Sequence, residues 1–245
     1  MTLRNRLSTL NLPLLSSMFK FALPIMAMNL LQLAFNAADM IVVGRFDGSL
    51  ALAAVGATGS LINLIVNLFM GLSVGTAVVV AQDYGARNNQ GIRQSVHTSI
   101  AISSITGLFV ALLGIILSTP LLQMMGTPGD IISLSTLYMK IYFIGMPASM
   151  VYSFGAAILR AVGDSKRPMY FLTVSGVVNV ILNIVFVAGF SMGVSGVAWS
   201  TVISQYLTMI LILTSLSKSE DAIRFNWRRL QVHKGKLGQI VRIGL

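Results

Sequence analysis

Residues 168–217, PMYFLTVSGVVNVILNIVFVAGFSMGVSGVAWSTVISQYLTMILILTSLS, contain no Asp, Glu, Lys or Arg. A helix of about 20 predominantly apolar residues crosses the hydrocarbon core of a bilayer, so this stretch can cross twice. The glycine-containing GFSMGVSG at 189–196 is where it would turn. Further uncharged runs occupy 48–82 and 94–129, and the 245-residue chain is 55% hydrophobic and only 10% charged. Such a chain reads as an all-α polytopic membrane protein, because a helix satisfies its own backbone hydrogen bonds in lipid. Six spans are expected, at about 18–44, 50–81, 93–119, 131–160, 168–190 and 194–217. Residues 1–217 would then form one six-span lobe, with 218–245 a basic cytoplasmic linker leading into a truncated second lobe.

Working outward, the connections alternate in basic content. Arg4, Arg6 and Lys20 lie on one side, followed by Arg87 and Arg93, then Arg160, Lys166 and Arg167, then the tail after 217. Of the 17 basic residues only Arg45 and Lys140 fall elsewhere, Arg45 on the opposite side and Lys140 within the fourth span. By the positive-inside rule both termini are cytoplasmic, in the plasma (cytoplasmic) membrane. The net charge of +10 is therefore a topology signal, and nucleic acid is not expected as a partner. The N-terminal apolar stretch is long and lacks a small-residue cleavage site, so it reads as a retained helix. There is no cysteine, and hence neither a disulfide nor a thiolate metal site. The tail SKSEDAIRFNWRRLQVHKGKLGQIVRIGL fits either a helix lying on an anionic inner leaflet or a solvated linker. Its end, LGQIVRIGL, echoes SSMFKFALP of the first span, as expected where a second copy of the unit begins.

Within this apolar background, LLQLAFNAADMIVVGR at 30–45 holds Asp39, the one carboxylate inside any expected span. A charged group at mid-membrane depth costs roughly 2.5–3.5 kcal/mol on insertion scales, so it calls for a partner, a wet cavity or a bound ion. Gln32, Asn36 and Asp39 are spaced i, i+4, i+7 and share a helix face. Gly56, Ser60, Asn63, Asn67, Gly71 and Gly75 form a stripe in the second span, Ser175, Asn179 and Asn183 one in the fifth, and Thr201 and Gln205 one in the sixth. Packing is the simpler explanation of the second-span stripe. At about 1.5 Å per residue, Asp39 lies about 8 Å below the outer end of its helix, with Asn183 and Thr201 at about 10 Å. A carboxylate, two carboxamides one turn apart and a hydroxyl at one level can bind Na⁺ through Asp39, Asn179 and Asn183, or can hydrogen-bond a protonated Asp39. Pro24 and Pro147 interrupt spans one and four and mark candidate bending points. Lys140 is placed near the outer side, snorkelling, and His97 in a packing or solvated role.

The sequence has no G-x-x-x-x-G-K-[ST], H-E-x-x-H or G-x-S-x-G pattern. An enzyme is not expected, no cofactor is implied, and any pumping would draw on an ion gradient, H⁺ or Na⁺.

Several pieces in order resemble the N-terminal half of a multidrug and toxic compound extrusion (MATE) transporter. They are ALP (22–24), AADMIVVGR (37–45), LAAVG (52–56), GLSVGTAVVVAQDYGA (71–86), AAILRAVGDSKRP (156–168), VVNVILN (177–183) and VSGVAWSTVIS (194–204). The resemblance implies two six-helix lobes around a cavity, exporting amphipathic, often cationic organic compounds in exchange for H⁺ or Na⁺. It also implies that Asp39 is the acid whose occupancy bends the first helix at Pro24. Asn179, Asn183 and Thr201 would be its polar companions, and Gln32 a cavity-facing position. Where some relatives carry an Asp, Asn183 is an amide. A second lobe is missing, and the sequence is expected to be a piece of a longer protein. Two other readings stay open: a lipid-linked oligosaccharide flippase of the same broad fold, whose anionic headgroup would call for several cavity cations where only Lys140 is available, and a non-transporting membrane subunit.

Overall fold

The computed structural model describes residues 12–219, 222–226 and 231–244. Arg4 and Arg6, which bear on orientation, lie outside the described residues, as do Glu220, Asp221, Trp227, Arg228, Arg229 and Leu245. The chain folds into α1 (Leu12–Phe46), α2 (Gly48–Gly85), α3 (Asn89–Met124), α4 (Ile132–Ile144), α5 (Met146–Ala161), α6 (Lys166–Asn183), α7 (Gly193–Lys218) and α8 (Lys234–Gly244). A π-helical turn at Ile184–Gly189 prolongs α6. Five of these helices, counting α6 with its π turn, are long and apolar enough to cross a membrane, and there are six such spans when the bent pair α4–α5 is taken as one. These are the six spans expected from the uncharged runs.

The fourth span bends by 48° between α4 and α5. The break falls at Gly145, two residues ahead of Pro147, so the proline occupies the first turn of α5. Its missing N–H costs nothing there, because the first turn of a helix has unpaired N–H groups in any case. The Tyr206 hydroxyl of α7 donates to the Ile144 carbonyl at 3.2 Å, satisfying an acceptor at the break. Pro24, by contrast, lies buried inside α1, which continues through it.

Sequence periodicity explains the bundle. On α3, Ser95, Ser99, Ser103, Gly107, Gly114 and Ser118 form a buried stripe of small residues, while Ile105, Leu108, Leu112 and Ile116 face outward. The small face lets the bent span come close. A side chain on Gly114 would overlap the Phe143 ring of α4, and one on Gly107 would meet the Pro147 backbone. Lipid tails are as apolar as leucine, so close contact and interhelical hydrogen bonds hold such helices together. Thr76 and Ser99 hydrogen-bond between α2 and α3 at 3.1 Å, and Ser135 of α4 donates to the Ala54 carbonyl of α2 at 3.0 Å. At the α5–α6 corner Asp164 accepts from the Lys166 and Arg167 backbone N–H groups, both at 3.1 Å, and pairs with the Arg167 guanidinium. Partial burial disfavours its charge, but these contacts outweigh that and hold the carboxyl below the ordinary Asp range.

The described part of the tail folds back on the end of the bundle where α2 meets α3, the inner end in the topology expected from the sequence. Phe225 and Ile223 are buried, the Asn226 N–H donates to His97 Nε2 at 3.2 Å, and the His233 N–H donates to Thr98 Oγ1 at 3.1 Å. His97 thus packs and binds backbone. Helix α8 then seats on α2 and α3. Lys236 Nζ reaches both oxygens of Asp83 at 2.8 and 2.6 Å, Ser95 Oγ donates to the same carboxylate at 2.9 Å, and Ile240 is fully buried. The seat exists because α2 carries glycine one turn apart: a Cβ on Gly71 or Gly75 would overlap the backbone carbonyls of Gly244 and Ile240.

Replacing Gly75 by Leu should therefore lift α8 off. Amides of 234–244 are expected to exchange roughly tenfold faster or more in hydrogen-exchange mass spectrometry. Gly59→Ala, built where a Cβ meets nothing within 4 Å, should leave them unchanged.

Candidate ion and substrate site

The residues singled out by helical spacing meet where α1, α4, α6 and α7 face one another. Asp39 from α1 is 9% exposed, Asn179 of α6 is 6% exposed and Asn183, the last residue of α6, is fully buried. Asn183 Nδ2 donates to Asp39 Oδ1 and lies 3.4 Å from Asn179 Oδ1. The far side of the same amide accepts from Ser200 Oγ of α7, whose proton is shared with the Gly196 carbonyl at 2.6 Å. One carboxamide thereby joins three helices. It sits where α6 widens into the π turn, a feature often found beside functional groups.

Around this cluster is an outer chamber of about 180 Å³, lined among others by Gln32, Asn36, Asp39, Asn179, Thr201 and Gln205. Tyr138 and Tyr142 of α4 form its wall. Gln205 Oε1 is buried with no hydrogen-bond partner among the described residues, close to Gly145, where only glycine leaves it room. A small cavity of about 200 Å³ reaches Asp39 from the α2 side past Gly56, Thr58 and Asn63. An inner chamber of about 670 Å³ continues from Gln32, Asn36, Tyr142 and Tyr152, which it shares with the outer one, to Asn29, Asn63, Asn67 and Arg160.

Gln32 and Asn36 thus line both main chambers, as their face with Asp39 predicts. Thr201 lines the outer chamber, but its hydroxyl donates to the Val197 carbonyl at 3.0 Å. The hydroxyl that reaches Asn183 belongs to its neighbour Ser200, which depth alone does not separate from Thr201. A periodic signal was available in Ser200, Ser204 and Thr208, spaced i, i+4, i+8 and all buried. The second-span stripe divides: Gly56, Asn63 and Asn67 face cavities, Gly71 and Gly75 face α8, and Ser60 is exposed. The expectation of packing therefore describes the glycines near its inner end and not the asparagines. Pro24 and Pro147 line none of the chambers, and Lys140 is exposed outside them. Arg160, whose sequence signal was only a topological charge, is the cation that the chambers contain.

No group of three or more His, Cys, Asp or Glu gathers among the described residues. A cation at Asp39 would draw on one carboxylate with amide and hydroxyl oxygens, a donor set suited to H⁺ or an alkali ion. In this arrangement Asn183 offers Asp39 an N–H, so a Na⁺ held between them requires a half-turn of the amide.

Asn183→Leu removes the Asp39 donor without emptying the site. It should cost roughly 1–3 kcal/mol and lower the thermal midpoint of the detergent-purified protein. Thr201→Ala should shift it by less than about 0.5 kcal/mol.

A model of the MatE family matches residues 24–185. The chain is 33% identical over 236 residues to the probable multidrug resistance protein YoeA of Bacillus subtilis, covering 94% of this chain and 51% of that protein. It is 24% identical over 233 residues to the multidrug export protein MepA of Staphylococcus aureus, covering 95% of this chain and 52% of that one. Among solved structures, a MATE protein in the bent conformation superposes with a TM-score of 0.86 at 28% identity, covering 93% of this chain and 51% of the other. A transporter of the MOP superfamily from Pyrococcus furiosus, described as having a binding pocket of reversed polarity, gives 0.85 at 28% identity, with 93% and 50% covered. The chain spans about half the length of the relatives it matches.

Proposed function

The chain belongs to the MatE family, and from that premise we propose that it is one lobe of a secondary antiporter that exports amphipathic, often cationic organic compounds in exchange for H⁺ or Na⁺. The observation that carries this reading is Asp39, the sole carboxylate among the described residues that line the chambers, held by Asn183 beside a polar cavity. Three cations can compete for it: a proton, Na⁺ and a substrate ammonium. When one leaves, the bare carboxylate in a poorly solvated site attracts another, and this exclusion is what exchange requires. The buried Pro24 removes one hydrogen bond from the inner half of α1, giving that helix a place to bend between the loaded and unloaded states. Asp39, Asn179 and Asn183 form the ion-coupling group, with Ser200 behind Asn183 and Thr201 facing the chamber. Gln32 and Asn36 contact substrate.

Coupling is tested with the full-length protein in vesicles. Asp39→Asn should reduce gradient-driven dye export by more than about a hundredfold while leaving insertion intact, since the amide cannot exchange a cation. Undiminished export would overturn the assignment, and imposing a pH or a Na⁺ gradient separately identifies the ion.

We further propose that both termini are cytoplasmic. These 245 residues contain no cysteine, so single reporters can be read without background once any cysteine outside them is replaced. Asp130→Cys, between α3 and α4, should react with an impermeant maleimide on intact cells, and Asn88→Cys, between α2 and α3, only after permeabilisation. The reverse pattern would invert the topology.

A further inference from the structure

The inner chamber carries the opposite charge to the site above it. Arg160, in the last turn of α5, lines this chamber half-buried, and no Asp or Glu is among the lining residues. The acid one turn further on, Asp164, is engaged by Arg167 and by backbone N–H groups. Neither of the two ion pairs among the described residues involves Arg160, and its guanidinium makes no hydrogen bond there. Around it, Asn29, Gln32, Asn36, Asn63 and Asn67 line the chamber, and none of them hydrogen-bonds another described residue. A guanidinium beside carboxamides that can turn their N–H groups toward an anion can act as a donor array, and the planar fork of Arg matches an oxyanion such as a carboxylate. Ile25 borders the same chamber. Ser165, just beyond α5, donates to the Phe21 carbonyl of α1 at 3.3 Å, which sets the end of α5 that bears Arg160 beside the start of the first span, and the rise of α1 from Ile25 to Asp39 is about 21 Å.

We infer that the inner chamber is an oxyanion subsite in which Arg160 holds the carboxylate of a zwitterionic substrate before its cationic part moves outward to Asp39. The inference rests on the antiporter reading. A substrate bearing both charges meets its complement at each level, whereas a purely cationic one passes a repelling guanidinium first. The same donor array would suit the phosphate of an anionic lipid, and the experiment separates these two sources.

The full-length protein is reconstituted in vesicles of phosphatidylcholine alone or with phosphatidylglycerol. Equilibrium binding is then measured for rhodamine B, which carries a free carboxylate, and for its ethyl ester, which is a fixed cation. Arg160→Gln should weaken rhodamine B binding roughly tenfold, leave the ester within about twofold in both lipids, and be partly rescued by Arg160→Lys. An equal loss for both probes would overturn the inference, since the guanidinium would then serve packing or an ion pair within the whole transporter. So would an effect confined to vesicles containing phosphatidylglycerol, or an unaltered protein that binds the ester and not the acid. Asp39→Asn keeps the two proposals apart. If it leaves gradient-driven transport of both probes intact, the coupling role fails, while the effect of Arg160 on binding is still decided by the comparison of acid with ester.

Discussion

The Asn183 amide is the interaction on which this lobe turns. In the hydrocarbon core no water stands ready to pair a stray polar group, so a carboxylate on α1 needs a donor from another helix. Asn183 supplies the N–H to Asp39 and uses its oxygen to accept from Ser200, fixing α1, α6 and α7 relative to one another. Because both ends of one side chain are engaged, a change of partner at Asp39 cannot stay local. A cation that took an oxygen of Asn183 would turn the amide and release Ser200.

The same accounting governs the backbone. The bend at Gly145 frees carbonyls that lipid cannot satisfy, and Tyr206 reaches across from α7 to Ile144. Gly145 is also where Gln205 presses against the fourth span. The bend is therefore shared between α4, α5 and α7, which also wall the outer chamber. A shift in the chamber and a change at the bend act on the same side chains.

Much of this was legible in the sequence because membrane solvation is severe. Uncharged runs gave the spans, and helical spacing put Gln32, Asn36 and Asp39 on one face and Asn179 with Asn183 on another. What failed to show depended on rotation or on long-range contact. Ser200 and Thr201 differ by one residue, at nearly the same depth, yet about 100° of helix rotation sends one hydroxyl to Asn183 and the other to its own backbone. The docking of α8 was hidden for a different reason. A basic amphipathic segment suits a lipid surface by composition, and only the approach of Gly71 and Gly75 shows a protein seat. Arg160 escaped notice because a charge near a span end satisfies the topology rule whether or not it also faces a cavity.

The distribution of charge constrains what a lobe of this kind can exchange. Among the described residues Asp39 is the only carboxylate bordering the chambers, and Asn183 places an amide where a second could have stood. Two carboxylates at that distance would lose their two protons in separate coupled steps, sharing one proton between them. A single one holds one unit of charge, so one monovalent cation must leave before another enters. On the proposed reading, exchange of one proton or Na⁺ for one singly charged cation at this site leaves its net charge unchanged through the cycle. A zwitterion whose anionic end rests on Arg160 brings its own counter-charge into the cavity, and the field that Asp39 sees then depends on how far that end follows it outward. On that proposal, the separation of guanidinium and carboxylate would order the two charges of a substrate along its path, which neither group could do alone.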